Sequence, residues 1–233
     1  MTIPKIFAHR GASAHAPENT MAAFQLAAAQ HADGIELDVM LSKDAEVVVI
    51  HDDTVDRTTN GTGRVREMTL SELKALDAGD GQEIPTLKEV IDEFGGKLLI
   101  NIELKNLASL FDRLPILVAQ LLQPYEFKEK LIISSFNPFN LVRFRRQLTG
   151  IDLGLLTTPH HAKNWLWRMF RYDALHPYFE DVDRTLVAAL HAQNRKVNVW
   201  TPDEPDDFRR LAALGVDSII TNYPQRAREV LES

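Results

Sequence analysis

Seven side chains in the first half of this sequence can do chemistry together: His9, Arg10, Glu36, Asp38, His51, Glu103 and Lys105. Each sits at or beside the end of a short apolar run. Glu36-Leu37-Asp38 reads as part of a strand, so residues 36 and 38 point to one face. Two carboxylates facing an apolar interior repel each other and are costly to desolvate without a cation. Glu103, on the next strand, repeats the pattern, with Lys105 on the same face. An all-oxygen donor set of Glu36, Asp38 and Glu103 suits one hard divalent cation, Mg²⁺, Ca²⁺ or Mn²⁺, rather than zinc. Internal ion pairing, Glu103 with Lys105 or Glu36 with Arg10, is the competing reading. His9 and His51 both end strands, and a histidine pair can serve as general acid and general base near neutral pH. Arg10 presents a planar fork suited to phosphate oxygens, or else holds Glu18 or Asp52. Gly11 permits a sharp exit or a close backbone approach.

Positioning these groups requires a scaffold that brings distant strand ends together. Apolar runs rich in β-branched residues recur at 5–8, 34–39, 46–50, 98–104, 131–135, 152–156, 174–176, 196–200 and 218–221. Helical periodicity separates most of them, at 19–32, 86–94, 107–123, 138–148, 162–171, 183–193, 205–214 and 224–231. On the first of these helices Met21, Ala22, Leu26, Ala29 and Gln30 fall near one face, and Asn19 is a candidate cap. With 46–50 set aside, the pattern is eight strand–helix pairs, which in about 200–250 residues predicts a (β/α)8 TIM barrel, with an open doubly wound sheet as the alternative. The run at 46–50 follows 34–39 too closely for a parallel crossover, so it forms a hairpin strand. Folding about Lys43-Asp44 places His51 roughly opposite Glu36 and near Asp38, at the barrel mouth. The insertion at about 52–84, with a short helix at 71–76, reads either as a cap over that mouth or as surface decoration.

Composition narrows the functional classes. The chain has 233 residues, 45% hydrophobic, enough for one catalytic domain spanning 1–233. A net charge of −7, with no basic run longer than Arg143-Phe144-Arg145-Arg146, argues against nucleic acid as a partner. There is no cysteine, so disulfides and thiolate metal sites are excluded. No secretory pattern or transmembrane segment is legible, and the expected location is cytoplasmic.

The ordered motifs His9-Arg10-Gly11, Pro17-Glu18-Asn19-Thr20, Ile35-Glu36-Leu37-Asp38-Val39, His51-Asp52 and Pro85-Thr86-Leu87 resemble the glycerophosphodiester phosphodiesterase family of phospholipase-C-like barrels. Further matches are Asn101-Ile102-Glu103-Leu104-Lys105, Ser134-Ser135-Phe136, His176-Pro177, Trp200-Thr201 and the stretch from Gly215 to Pro224. The resemblance implies metal-dependent hydrolysis of a small glycerophosphodiester to sn-glycerol 3-phosphate and an alcohol. It implies His9 and His51 as the catalytic histidines, Glu36, Asp38 and Glu103 as metal ligands, Arg10 and Lys105 as phosphate contacts, and Phe136 and Trp200 on the glycerol side. At strand ends, those two rings can wall a small polyol, or simply pack in the core. A lysophospholipase D-type enzyme and a non-catalytic binding protein are the alternatives. The chain departs from the family at Ala45, where a glycine is common and only turn conformation is expected to change, and at Pro202-Asp203-Glu204, which bears on alcohol specificity.

Other features read as structural. Asp217 and Asn222 are expected to fix the last strand and its turn, and His31 and His191 to lie on the surface. His15, His160 and His161 fall in loops above the strands. The aromatic-basic stretch at 165–171 can touch a membrane, but its place between strands predicts a core-facing or capping helix.

Overall fold

The computed structural model describes residues 3–106 and 112–233. Eight parallel strands close into a barrel: β1 (Lys5–His9), β2 (Gly34–Leu41), β4 (Leu99–Leu104), β5 (Leu131–Ser135), β6 (Asp152–Leu156), β7 (Ala174–His176), β8 (Lys196–Trp200) and β9 (Ser218–Thr221). Pairing of β1 with both β2 and β9 completes the ring, so the open-sheet alternative fails. The ninth strand, β3 (Val47–Val49), pairs antiparallel with β2 outside the barrel. Most strand residues are buried on both faces, as expected where helices cover the outside and side chains fill the inside.

The helices are α1 (Met21–Ala29), α2 (Leu70–Lys74), α3 (Leu87–Phe94), α4 (Leu114–Leu122), α5 (Pro138–Arg145), α6 (Arg184–His191), α7 (Pro205–Leu214) and α8 (Pro224–Glu232). Their starts are written locally. Thr69 and Thr86 each form a reciprocal capping box, with Glu72 and Glu89 respectively. Gly215 ends α7 at φ 83°, a left-handed turn that favours glycine.

Three expectations change. Thr20, not Asn19, caps α1, and the helix buries Ala23, Phe24 and Ala27 rather than the face through Met21 and Ala29. A helix of mostly Ala, Met, Phe and Leu is apolar nearly all round, so periodicity could not choose its face. The helix expected at 162–171 is only a 3₁₀ turn, Trp165–Met169. Trp165, Leu166 and Met169 are exposed there, so no continuous apolar stripe anchors a longer helix. Finally, the hairpin pairs Val39 with Val49, which shifts His51 one residue from the expected position, opposite Leu37 and beside Asp38. The first part of the helix expected at 107–123 lies outside the described residues.

Two apolar clusters divide the molecule. The main one fills and surrounds the barrel. A smaller one, including Val48, Ile50, Val55, Val65, Leu73 and Ile84, packs the insertion onto the outer hairpin strand. The insertion therefore carries its own core. Ala45, at φ 66°, keeps the left-handed backbone that glycine adopts more readily, so the turn retains a glycine-like shape. Among the described residues no helix is long and apolar enough to cross a membrane.

Candidate active site

Strand register builds the site in layers. His9 on β1 lies level with Glu36 on β2, and Glu36 with Asn101 on β4. Two residues further toward the carboxyl ends, Asp38 is level with Glu103. Because inward-facing positions alternate, the sequence spacing of two places Glu36 and Asp38 on the same interior face. Glu36, Asp38 and Glu103 are all buried, and one carboxylate oxygen from each lies within 4.8 Å of the others.

Positive charge approaches this triad from two side chains. The Arg10 guanidinium donates to Glu18 at 2.9 Å and lies 3.2 Å from Asp38. Lys105 donates to Glu103 at 2.8 Å and lies 3.7 Å from Asp38. Among the described residues, Glu36 receives only the Arg10 backbone N–H, at 3.1 Å. Of the anticipated internal pairs, Glu103–Lys105 forms, whereas the Arg10 guanidinium goes to Glu18 and Asp38. Two cations, one shared with Glu18, thus face three buried carboxylates. Burial, with repulsion from Asp38 and Glu103, pushes the Glu36 carboxyl well above its ordinary range. Burial and Asp38 likewise push Glu103 up to about 7, against the pull of Lys105. Burial also acts upward on Asp38, but Arg10 and Lys105 outweigh it and hold that carboxyl low. A buried oxygen set with protons to release and excess negative charge fits a hard divalent cation.

Each histidine is oriented from behind. Asn222 donates through Nδ2 to Asp203 at 2.6 Å, which turns its Oδ1 toward His9 Nδ1 at 2.7 Å. The His9 Nδ1 must then carry hydrogen, leaving the Nε2 lone pair facing Glu36, 4.0 Å away. Burial and the neighbouring Arg10 charge hold the His9 imidazolium down to about 4. His51 Nδ1 lies 2.5 Å from Asp52 Oδ1. Arg57, from the insertion, meets the other Asp52 oxygen at 2.5 Å and both Glu18 oxygens, at 2.8 and 2.9 Å. Its bond holds Asp52 down to about 2, against burial. Arg57 thereby ties the supports of His51 and Arg10 together.

Gly11 makes this corner possible. At φ 81°, an added Cβ would come within 2.6 Å of the Ala23 backbone in α1. Asn19, at φ 57°, uses its side chain twice on Asp38: Nδ2 donates to Oδ2 at 2.9 Å, and Oδ1 accepts the Asp38 N–H at 3.3 Å.

A cavity of about 240 Å³ opens onto these groups, lined by His9, Arg10, Glu36, His51, Glu103 and Lys105 on its polar side. Phe136 and Trp200, edge to face at 5.6 Å, join Leu156 and Ile220 on its apolar side. Asp38 lies behind this surface, and the insertion borders it through Arg57 without lining it. His15, His160 and His161 do not line it either. Asp217 bonds His191 and the Val197 N–H, fixing adjoining strands as expected, whereas Asn222 serves His9. Asn19, Arg57, Asn222 and Asp203 were not legible as site residues. Their roles depend on contacts across 19, 39, 213 and 19 positions of sequence respectively.

Similar proteins share this arrangement of chain. A glycerophosphodiester phosphodiesterase of Caldanaerobacter subterraneus subsp. tengcongensis is 42% identical over 94% of either chain. A putative glycerophosphodiester phosphodiesterase, YhdW, of Bacillus subtilis is 40% identical, again over 94% of each. Among solved structures, an Oleispira antarctica phosphodiesterase in complex with the product sn-glycerol-3-phosphate is 32% identical. It superposes with a TM-score of 0.90 over 99% of this chain and 98% of that one. The family model for glycerophosphoryl diester phosphodiesterases matches residues 9–226, and with these relatives it shows that the chain belongs to that family.

Proposed function

We propose that the protein hydrolyses glycerophosphodiesters to sn-glycerol 3-phosphate and an alcohol, using one divalent cation and His9 with His51. The observation that carries this reading is the convergence of both histidines, Arg10, Lys105 and two of the three acidic ligands on one small cavity. The Oleispira antarctica relative's product complex supports the substrate class. Glu36, Asp38 and Glu103 would hold the divalent cation, which would supply Lewis-acid charge stabilisation to the phosphate. Arg10 and Lys105 bind those oxygens from the protein side, where charge develops as the new P–O bond forms. His9, neutral at pH 7, takes a proton through Nε2 from the attacking water, whose oxygen forms the new P–O bond. His51, oriented by Asp52, gives a proton to the departing alcohol oxygen as the old P–O bond breaks. Phe136 and Trp200 wall the glycerol and exclude water from its carbons.

Glycerol 3-phosphate release from glycerophosphocholine, after EDTA treatment and add-back of Mg²⁺, Ca²⁺ or Mn²⁺, tests the proposal. Cation-restored release supports it and ranks the metals. Silence with every cation in folded protein rejects it. A second reading, cleavage of lysophospholipids, is favoured by the exposed Phe139, Trp165, Leu166 and Met169. Preference for micellar lysophosphatidylcholine over glycerophosphocholine would select it.

A further inference from the structure

Pro202-Asp203-Glu204, the segment that departs from the family pattern, lies outside the lining of the catalytic cavity. Asp203 sits behind His9 instead, with three donors on its two carboxylate oxygens. Its Oδ1 accepts from the Thr221 hydroxyl at 2.8 Å and from the Asn222 N–H at 3.0 Å. Its Oδ2 accepts from Asn222 Nδ2 at 2.6 Å. The Thr221 hydroxyl oxygen itself accepts the Tyr223 N–H at 3.1 Å, which leaves its hydrogen for Asp203. Arg226 steadies the segment from outside, donating to the Asp203 carbonyl at 3.1 Å. On the far side of the Asn222 amide, Oδ1 accepts from Ser13 Oγ at 2.9 Å and meets His9 Nδ1 at 2.7 Å. One rigid amide plane thus stands between a carboxylate and a histidine.

We propose that Asp203 is a positioning residue that sets the tautomer of His9, keeping the proton on Nδ1 and the Nε2 lone pair free. The competing role, a brace for the turn after β9, needs only the bonds from Thr221 and the Asn222 N–H. An asparagine at 203 separates the two roles. Its Oδ1 would keep both of those bonds, because a backbone N–H cannot turn round to accept. Its Nδ2 would then face Asn222 Nδ2, nitrogen against nitrogen.

A half-turn of the Asn222 amide relieves that clash and presents Nδ2 to His9 Nδ1. The Ser13 hydroxyl rotates and accepts in place of donating. His9 Nδ1 must then accept as well, so the ring proton moves to Nε2, and that atom can no longer take one. A single changed atom at residue 203 reverses His9 without displacing it. The kinetic consequence rests on His9 as proton acceptor in the proposed reaction, whereas the tautomer rests on the hydrogen bonds alone.

Long-range proton–nitrogen NMR correlations of the full chain with Mg²⁺ read the tautomer, with His9 assigned by its absence from His9→Ala. The wild type is expected to carry hydrogen on Nδ1, and Asp203→Asn on Nε2. Asp203→Asn is also expected to lower kcat by about 10²–10⁴-fold with KM little changed, as where a catalytic histidine is left in the wrong tautomer. The exchanged pair Asp203→Asn/Asn222→Asp places a carboxylate against His9, with the amide now donating to it from behind. It is expected to restore the Nδ1–H form and to return kcat to within about tenfold of the wild type, a recovery that a mere brace would not give. Hydrogen on Nε2 in the wild type, Nδ1–H persisting in Asp203→Asn, or no return to Nδ1–H in the exchanged pair would each overturn the proposal. The wild-type spectrum and the exchanged pair keep the test decisive if the single variant does not fold. A reversed tautomer with full turnover would support the role of Asp203 and refute His9 as the proton acceptor, so the two readings fail separately.

Discussion

Asn19 and Asp38 hold each other through two hydrogen bonds, the Asn19 amide bonding both the carboxylate and the backbone N–H of Asp38. The amide fixes the rotamer of one carboxylate of the acidic triad, donating to the same oxygen that Arg10 Nε approaches at 3.2 Å. Asn19 can do this because its backbone is left-handed, which turns the side chain inward from the start of α1.

Replacing Asn19 with glycine keeps that backbone accessible and removes only the side chain. Asn19→Gly is expected to weaken Mg²⁺ or Ca²⁺ affinity about 10–100-fold, as for other groups that orient metal ligands. Titration calorimetry reads the affinity, and unchanged circular dichroism shows that the barrel persists. Unaltered affinity would mean that Asp38 needs no such support.

His9→Ala and His51→Ala are each expected to lower kcat by about 10²–10⁴-fold, the usual worth of a placed proton acceptor or donor. KM should move less, as expected if Arg10 and Lys105 bind the phosphate. Steady-state kinetics on glycerophosphocholine separates the two quantities. Full turnover by either variant would refute the two-histidine scheme.

Arg57 acts through Asp52 and Glu18, without lining the cavity. Arg57→Gln should lower kcat/KM, and combining it with Asp52→Asn should cost less than the two losses together. A coupling of roughly 0.5–3 kcal/mol is expected for residues in one network. Additive losses would place Arg57 outside the His51 support. Burial raises the Glu18 carboxyl, but Arg57 and Arg10 outweigh it and hold the group down to about 2, from an ordinary 4.5. A depressed carboxyl stabilises the fold above its unfolded value, and that contribution is lost as pH falls from about 4.5 toward 2. Acid unfolding of Arg57→Gln should therefore begin at higher pH than in the wild type.

Cation binding should grow more stabilising as pH rises. Glu36 and Glu103 are pushed upward, Glu103 from 4.5 to about 7, so the cation-free fold binds more protons than the unfolded chain. Stability of that form should decline as pH rises from about 4.5 through 7. A divalent ion replaces those protons and offsets the repulsion. Melting curves from pH 5 to pH 8, with EDTA or with Mg²⁺, should diverge progressively. A constant gap would contradict protonation of the triad.

Deeper in the barrel, Gly154 leaves room for His176. A Cβ at residue 154 would lie 2.4 Å from His176 Nε2, which itself meets the Asn198 amide at 3.0 Å. Burial holds His176 neutral, its imidazolium driven down to about 3. Gly154→Ala should destabilise the protein by about 1–3 kcal/mol through overpacking. A shifted urea midpoint with normal activity of the folded fraction would show that this layer serves stability alone.

The sequence by itself determined the alternation of strands and helices, and with it the barrel. Short β-branched runs and helical periods are local signals, and their number leaves few closed arrangements. It also determined the acidic face: a spacing of two in Glu36-Leu37-Asp38 puts both carboxylates inside whatever sheet the strand joins. His9, Arg10, His51, Glu103 and Lys105 were legible for the same reason, as polar groups at the ends of apolar runs. Tertiary structure decided what holds them. Asn19 resembles a helix cap in sequence and instead grips Asp38. Asn222 resembles a turn residue and instead orients His9 from Asp203, in a segment that departs from the family pattern. Arg57 joins two supports that only closure of the barrel and packing of the insertion bring together. The surface at Trp165–Met169 shows the same limit. Its composition suits either a core or a lipid boundary, and only the placement of neighbouring elements shows which side chains remain uncovered. Hydrogen bonds between distant segments depend on distances that register, helix packing and loop path set jointly, and no local period encodes them.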